Sequence, residues 1–461
     1  MSSILSCLYT VQRALASQQY GLSITQKNVA NANDPYYTRQ DVVFTGNEME
    51  WVRSGIPGVT LQACRDRFID YSINQELQSL AEYSVAYDAL QQIDAVLNGS
   101  GEGLQQALSD FFNSFAALSS SPENLALRQQ VLTRANALSA EFRRLYEAIQ
   151  QVQTSQDRAL TYTIDEINSI TAQIAELNGK ISIAQAARTE DEFALRDSRQ
   201  QLLEQLSNLM DFSYYETESG SVTVTTRQGG LLVVEDQSRS LSLSSSSTGA
   251  FQGVFLDGAE MTSSIASGKL GALLDLRDNK IAGYLNALDD LAATVISRVN
   301  EQHAAGIDLN GLAGGDFFVP LVPLNPGSNT GAARTMTTAL EDPRQIAAAV
   351  SGAGPGNNGN ALLLAAIADE KLFYSSTATA GEFYAGLIYR IGTDEKTADE
   401  NVSTQNGILT QLRNQRDALS GVNLDEEAVR LIQYQKAYQA SARFANVVDS
   451  LSNEILDLLG N

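Results

Sequence analysis

The side chain best suited to acid–base or metal chemistry near neutral pH is histidine, and this 461-residue sequence holds one, His303. Any Ser-His-Asp or Cys-His arrangement would have to use it, and it lies far along the chain from both cysteines, Cys7 and Cys64. Glu301-Gln302-His303 lacks the second histidine that a zinc-binding His-Glu-x-x-His helix needs at helical spacing. The sequence has no Cys-x-x-Cys, no Gly-x-Gly-x-x-Gly after a strand and no phosphate-cradling loop ending in Lys-Ser/Thr. Asp308-Leu309-Asn310-Gly311 opens like a calcium loop, but the closing glutamate is missing, so the segment reads as a turn. Asp and Glu number 54, too many for any one pair to stand out as general acid and base. Glycosidase chemistry, which needs only two opposed carboxylates, stays open on these grounds. The residues point away from an enzyme and call for no cofactor and no metal.

Lys and Arg number 31, so the formal net charge is −23. A chain this acidic is not expected to bind nucleic acid through a basic, phosphate-facing surface, and the charge reads as solubility. Two cysteines make no disulfide framework and are expected as small buried or half-buried side chains. No apolar run reaches the ~18 residues needed to cross a bilayer, so no membrane association is expected. The first residues, MSSILSCLYTVQRALASQQYGLS, have neither a basic leader nor a continuous apolar stretch, and do not read as a secretory signal.

The elements say more than the search for a site. Leu8, Leu15, Leu22 and Val29 recur every seven residues, with Ile4 and Val11 between them. This is an amphipathic helix with a narrow apolar seam, ending near Asn33-Asp34-Pro35. Leu424, Leu431, Tyr438 and Ala445 repeat the pattern at the other end, continued by Val448, Leu451, Ile455 and Leu458. Asn423 followed by Leu424-Asp425-Glu426-Glu427 reads as a helix start, with acids where the helix dipole favours them. One such seam is not stable alone. Two can pair with each other or with neighbouring subunits, and an ordinary bundle whose ends meet would give the same periodicity. Further helices are expected through Ile73–Leu97, from Ser121-Pro122 through Val131–Val152, through Leu160–Ile181, from about Gly271 to His303, and from Ala361 to the end. Period-two alternation at Tyr214, Val222, Val224, Leu231–Val234, Leu241 and Leu243 predicts short strands, with Gly229-Gly230 as a turn. Ser242–Ser247 reads as a surface loop, and Ser351–Asn360 as the most linker-like stretch. The fold class expected is mainly α, a long helical bundle with a small inserted β-rich domain.

The chain ends carry a resemblance that periodicity does not. Asn28-Val29-Ala30-Asn31-Ala32-Asn33-Asp34-Pro35-Tyr36-Tyr37-Thr38-Arg39-Gln40 resembles the Asn-Ile-Ala-Asn-x-x-Thr-Pro-Gly-Tyr-(Thr/Ser)-Arg-Gln motif of flagellar axial proteins. Its Tyr-Thr-Arg-Gln ending is similar to that of the FlgK family of hook-associated proteins. Ser420-Gly421-Val422-Asn423-Leu424-Asp425-Glu426-Glu427 resembles the family's C-terminal signature, and Tyr434–Ala442 its Gln-x-Ala-Tyr-x-Ala-(Asn/Ser)-Ala. Asn300 to His303 and Gly306, with Asp316-Phe317-Phe318, resemble Asn-x-x-His-x-x-Gly and Asp-Phe-Phe, while Asp197-Ser198-Arg199-Gln200-Gln201-Leu202 resembles Asp-Gln-Arg-Asp-x-Leu. Tyr36 departs from the pattern: it stands where the family has glycine, in a turn that often needs positive φ.

The resemblance implies a structural subunit of the bacterial flagellum that joins hook to filament and leaves the cell through the flagellar type III system. It implies a terminal coiled-coil domain of residues 1–40 with 422–461, and a helical body of 41–211 with 262–421. A small β-rich domain of 212–261 and a shortened outer segment of 319–341 complete the division. Subunit packing falls to Leu8, Leu15, Leu22, Val29, Leu424, Leu431, Tyr438, Ala445 and Ile455. The motif residues are Asn31, Asn33, Pro35, Tyr37, Thr38, Arg39, Gln40, Gly421, Val422, Asn423, Asp425, Glu426 and Glu427. The implied partners are further copies of the chain in a tubular ring, the hook protein, the second hook-associated junction protein, and an export chaperone of the FlgN type on the C-terminal helix. His303 takes a structural place. Flagellin and the second junction protein are alternatives within the same class, and a cytosolic coiled-coil scaffold is one outside it.

Overall fold

The computed structural model describes residues 2–44, 58–98, 103–246, 251–322 and 328–459. The first apolar repeat forms helix α1 (Ser2–Ala30), which ends in a turn ahead of Pro35. Strands β1 (Gln40–Phe44) and β2 (Val59–Ala63) pair antiparallel, with Gln40 opposite Ala63. Four helices follow: α2 (Arg67–Asn98), α3 (Gly103–Ser119), α4 (Leu125–Ala187) and α5 (Asp191–Leu209). Strands β3 (Phe212–Glu216), β4 (Val222–Thr226), β5 (Leu231–Val234) and β6 (Gln237–Ser238) make one antiparallel sheet in chain order. A second sheet holds β7 (Leu241–Ser245), β8 (Gln252–Leu256) and β9 (Ala259–Glu260). Helix α6 (Gly268–Asp275) runs through one π turn, Leu276–Lys280, into α7 (Ile281–Ala304). Short pieces β10 (Gly306–Ile307), α8 (Ala332–Thr335), β11 (Ala349–Val350) and α9 (Gly359–Ala366) lead to α10 (Ala380–Ser420) and α11 (Leu424–Leu459).

The stripes Val131–Val152 and Leu160–Ile181 lie on one helix, α4, whose 63 residues span roughly 95 Å at 1.5 Å per residue. The first stripe enters a core of Phe111, Phe115, Phe317 and Phe318 with the buried faces of α2, α7 and α10; the second packs on α5, the sheets and α6. Between Val152 and Leu160 the buried residues of α4 are Gln153 and Gln156, so the two cores are separated by a polar waist. The π turn sits there. A π turn shifts the regular carbonyl partners, and the Arg277 carbonyl accepts from Gln153 Nε2 at 2.7 Å. The Arg277 guanidinium, nearly fully buried, pairs with Asp157 at 2.8 Å and Asp278 at 2.7 Å and lies over the Phe251 ring.

Several expectations need correction. Helix α4 starts at Leu125, because Asn124 Oδ1 caps the amides of Ala126 and Leu127. Pro122 lies in the preceding turn, where its carbonyl holds Arg128 Nε at 2.6 Å. Ser242–Ser245 belongs to β7 and pairs with β8: backbone pairing and the inward Leu241 outweigh the polar composition. The stretch 351–360 is tied down through Asn358 Nδ2 to the Ser119 carbonyl and the buried Asn360 to that of Ala347. The C-terminal helical region is broken before α10, where Tyr374, Ser375 and Ser376 take φ of 49°, 56° and 67°, a left-handed turn with no glycine to announce it. Cys7 is exposed and Cys64 half-buried. Residues 328–341 lie against the body, with Ala332, Ala333 and Met336 fully buried.

The expected turn at Asp308 is formed: Asp308 Oδ1 accepts from the amides of Asn310 and Leu312, both at 2.8 Å. Above it His303 is fully buried, with Nδ1 at 2.7 Å from the Gly315 carbonyl and Nε2 accepting from the Ala347 amide at 2.9 Å. Both nitrogens are used in the neutral ring, so no acid–base face remains. Burial holds the imidazole below its ordinary value. The unfolded chain therefore takes up a proton below about pH 6.5 that the folded chain refuses, and stability falls on acidification through that window. We expect the wild type to lose more stability than His303→Gln between about pH 7.5 and about pH 5 in urea melts, by at most ~1.4 kcal/mol per pH unit. Equal losses would show that the histidine does not couple folding to pH.

Candidate functional site at the paired chain ends

Helices α1 and α11 pack against each other in antiparallel register: Asn28 meets Glu427, and Gly21 meets Tyr434 seven residues further along each helix. A Cβ at 21 would fall 2.6 Å from the Tyr434 ring, so any other residue there displaces the tyrosine. On α1 the buried face is Val11, Ser17, Gly21, Ile24, Thr25 and Asn28. Leu8, Leu15 and Leu22 run along its flank, half-buried, and Val29 is exposed. On α11 the inward side carries Glu427, Tyr434 and Val448 with the half-buried Leu431 and Ala445; Leu424 and Tyr438 are exposed, and the side chain of Ile455 falls outside the described residues. Of the α11 heptad, then, Leu431 and Ala445 lie on the side of α1, while Leu424 and Tyr438 remain exposed. On the opposite side of α11 a second apolar stripe, Val429, Ile432, Phe444, Val447 and Leu451, is about half exposed at every position. Sequence periodicity had not separated the two faces.

The two motifs meet where this pair joins the body. Asn28 is almost fully buried at the end of α1 and holds four partners. Its Nδ2 donates to the Gln40 carbonyl at 2.9 Å and to Glu427 Oε2 at 3.2 Å, and its Oδ1 accepts from the Gln40 amide at 3.1 Å and the Tyr37 hydroxyl at 2.7 Å. Thr38 binds Asp197 of α5 twice, through its amide at 3.1 Å and its hydroxyl at 2.7 Å. The Arg39 amide donates to the Ser420 carbonyl at 2.9 Å, and its guanidinium reaches Glu426 at 3.1 Å. Asp41 pairs with Arg430 and accepts from the Cys64 thiol at 3.3 Å. Burial pushes the Asp41 carboxyl up, but the bonds from Arg430 and Cys64 and the charge of Arg39 hold it below its ordinary value. Burial, and then the bond to Asp41, push the Cys64 thiol up, away from the nucleophilic thiolate. Burial likewise raises Asp197, against the pull of Thr38 and Arg65.

The remaining motif residues shape the backbone. Asn31 Nδ2 returns to the Lys27 carbonyl at 2.8 Å and closes α1. Asn33 and Pro35 are exposed. Tyr37 N to the Asp34 carbonyl closes a turn with Pro35 in it, and Asp34 Oδ1 accepts from the Tyr36 amide at 2.9 Å. Tyr36 keeps negative φ, so this turn does not need the glycine that the motif carries. Gly421 does need to be glycine: a Cβ there would lie 2.4 Å from the Asp417 carbonyl, whose oxygen accepts the Gly421 amide. Val422 is half-buried; Asn423 Oδ1 caps α11 through the Asp425 and Glu426 amides, with Asp425 exposed in the first turn. Asn28, Asp41, Cys64, Asp197 and Arg430 were not singled out as site residues, although Asn28 heads the N-terminal motif. The one thiol here, Cys64, donates to a carboxylate already paired with Arg430 and is pushed away from the thiolate. The arrangement fixes the angle at which two helices leave a body.

Among known proteins, the model of the flagellar hook-associated protein FlgK helical domain matches residues 90–318, and that of the flagellar basal body rod FlgEFG protein C-terminal region matches 415–458. Flagellar hook-associated protein 1 of Bacillus subtilis is 27% identical over 507 aligned positions, which cover 100% of this chain and 99% of that one. Its counterpart in Escherichia coli is 24% identical, covering 99% of this chain and all of the other. The fold is similar to that of the flagellar hook junction protein FlgK from Burkholderia pseudomallei, with a TM-score of 0.67 at 17% identity over 76% of this chain and 100% of that one. The two models fall in chain order on the elements that build the body and the C-terminal helix, and the chain belongs to the FlgK family of flagellar hook-associated proteins.

Proposed function

We propose that the protein is a non-catalytic adaptor subunit at the junction of flagellar hook and filament, exported through the flagellar type III system to its place outside the cell. The observation that carries this reading is the clasp: both chain-end motifs are used to hold one helix pair on the body, while α11 turns a second apolar stripe outward. In a tubular ring of copies that stripe, with the flank of Leu8, Leu15 and Leu22, packs against neighbouring chain ends and is removed from water. Residues 1–40 with 422–461 then serve as the inner layer, the helical body as the next, and the strands of 212–261 as the outer one. The hook protein and the second junction protein contact the two faces of the ring. Before assembly the exposed stripe is a seat for an export chaperone on the C-terminal helix. A clean deletion is expected to leave hooks without filaments, with flagellin lost to the medium. Filaments of normal length on the deletion strain would overturn the assignment.

A further inference from the structure

Five asparagines are followed by glycine: Asn98, Asn178, Asn310, Asn358 and Asn406. Such a pair carries its own nucleophile. The glycine nitrogen can approach the asparagine side-chain carbonyl carbon because no Cβ hinders it or narrows the backbone conformations available. Which pairs react depends on where the fold puts them.

Asn178 lies inside α4, fully buried and saturated. Its Nδ2 donates to the carbonyls of Val222 and Glu235, both at 2.8 Å, and its Oδ1 accepts from the Val222 amide and Arg199, both at 2.9 Å. Asn406 is exposed but sits mid-way in α10, where the next amide is turned along the helix axis into the backbone ladder. Asn358 is half-buried, its side chain is held by the Ser119 carbonyl, and the Gly359 amide is already donated to Asn357 Oδ1 at 2.9 Å. Gly99 lies outside the described residues. Asn310 differs from the three whose surroundings are described. It is exposed, it belongs to no helix or strand, and Gly311 takes φ of +78° with nothing within 4 Å of where a Cβ would stand. One amide bond, Gly311 N to the Asp308 carbonyl at a long 3.2 Å, has to open for attack.

We infer that Asn310, in the turn after β10, is a site of intrinsic deamidation. The Gly311 nitrogen bonds to Asn310 Cγ, the Cγ–Nδ2 bond breaks, and Nδ2 leaves as ammonia with the proton given up by the Gly311 nitrogen. The product is a five-membered succinimide. Water then adds to one of its two carbonyls and gives aspartate or isoaspartate at 310.

The surroundings give the change a consequence. Asn310 Nδ2 donates to Asp308 Oδ2 at 3.1 Å, and Asp308 is nearly fully buried. An aspartate at 310 replaces that donor with a carboxylate facing a carboxylate. Isoaspartate also lengthens the main chain by one carbon between Asp308 and Leu312, whose carbonyl accepts the Asp308 amide at 2.8 Å. Either product loosens the turn that leads through Gly314 to the His303 strut.

The test is incubation of the full folded chain in heavy-oxygen water at mildly alkaline pH, followed by peptide mapping. Residue 310 is expected to gain label on the order of tenfold faster than 178 or 406. The denatured chain should label all Asn-Gly pairs at similar rates, which shows each one chemically competent. Asn310→Gln should abolish the labelled peptide without altering the thermal melt. Protection of 310 in the folded chain while the denatured chain labels there, or labelling of Asn406 as fast as Asn310, would overturn the inference.

Discussion

Asn28→Leu is expected to free both chain ends from the body while the body keeps its own unfolding transition. Leucine has nearly the same size and no polar atoms, so four groups lose their partner at once: the Gln40 amide and carbonyl, the Tyr37 hydroxyl and the Glu427 carboxylate. Glu427 and Gln40 are buried, so water does not replace the lost bonds without opening the joint. A buried polar group left unmatched costs ~1–3 kcal/mol, and more when it is charged. Glu427 keeps its ion pair with Arg430 at 3.5 Å, so hydrogen bonds and not a charge partner are lost, and partial opening of the joint should cap the total at about 3 kcal/mol. The ion pair of Arg39 with the exposed Glu426 is a useful contrast, since an exposed pair contributes only ~0.2–1 kcal/mol and Glu426→Gln should be nearly silent. Hydrogen exchange on the full chain checks both. Amides of 2–44 and 420–459 should lose protection in Asn28→Leu, with those of 131–152 unchanged. Wild-type protection at the ends would mean that packing of α1 on α11, and not the clasp, sets their position.

What the sequence makes legible, and what it hides, follows from the kind of contact involved. The seven-residue repeats in α1 and α11 announce two helices with apolar seams, and the structure pairs them. The face was harder, because the seam of α1 runs through Ser17, Gly21, Thr25 and Asn28, which an apolar count passes over. Gly21 contributes by lacking a side chain, so that the Tyr434 ring can approach. The leucines that dominate the repeat lie on the flank instead. The two stripes of α4 are legible for the same reason as the heptads. Their union in one helix is not, because Gln153, Gln156 and Asp157 look like a break until Arg277, 120 residues further on, is seen beside Asp157. Thr38 and Asp197 are 159 positions apart, and no local pattern links a turn to a distant helix. The motif resemblance found that region without explaining it. Its physical content, an asparagine that welds helix end, strand and partner helix, emerges only when Gln40 and Glu427 are placed around it.

The second large effect concerns assembly and separates the two faces of α11. Ile432→Asp with Val447→Asp places two carboxylates on the outward stripe, where both positions are about half exposed in the single chain. The monomer should tolerate them, since aspartate lowers helix propensity by ~0.7 kcal/mol or less per site. In the ring proposed above, the same positions would face other helices and become dry. An unpaired carboxylate there costs several kcal/mol or must neutralise, and the cost recurs in every subunit. The double variant is therefore expected to melt within about 1.5 kcal/mol of wild type and yet to leave hooks bare of filaments and cells unable to swim. Leu431→Asp, one residue away but turned toward α1, should behave differently, with loss of exchange protection across the helix pair in the monomer as well as loss of filaments. Filament-bearing, motile cells carrying the double variant would rule out the outward stripe as an assembly surface. A collapsed melt of the same protein would instead place Ile432 and Val447 in the monomer's own packing. If Leu431→Asp left both the melt and the exchange untouched, the helix pair itself would not persist in the free chain.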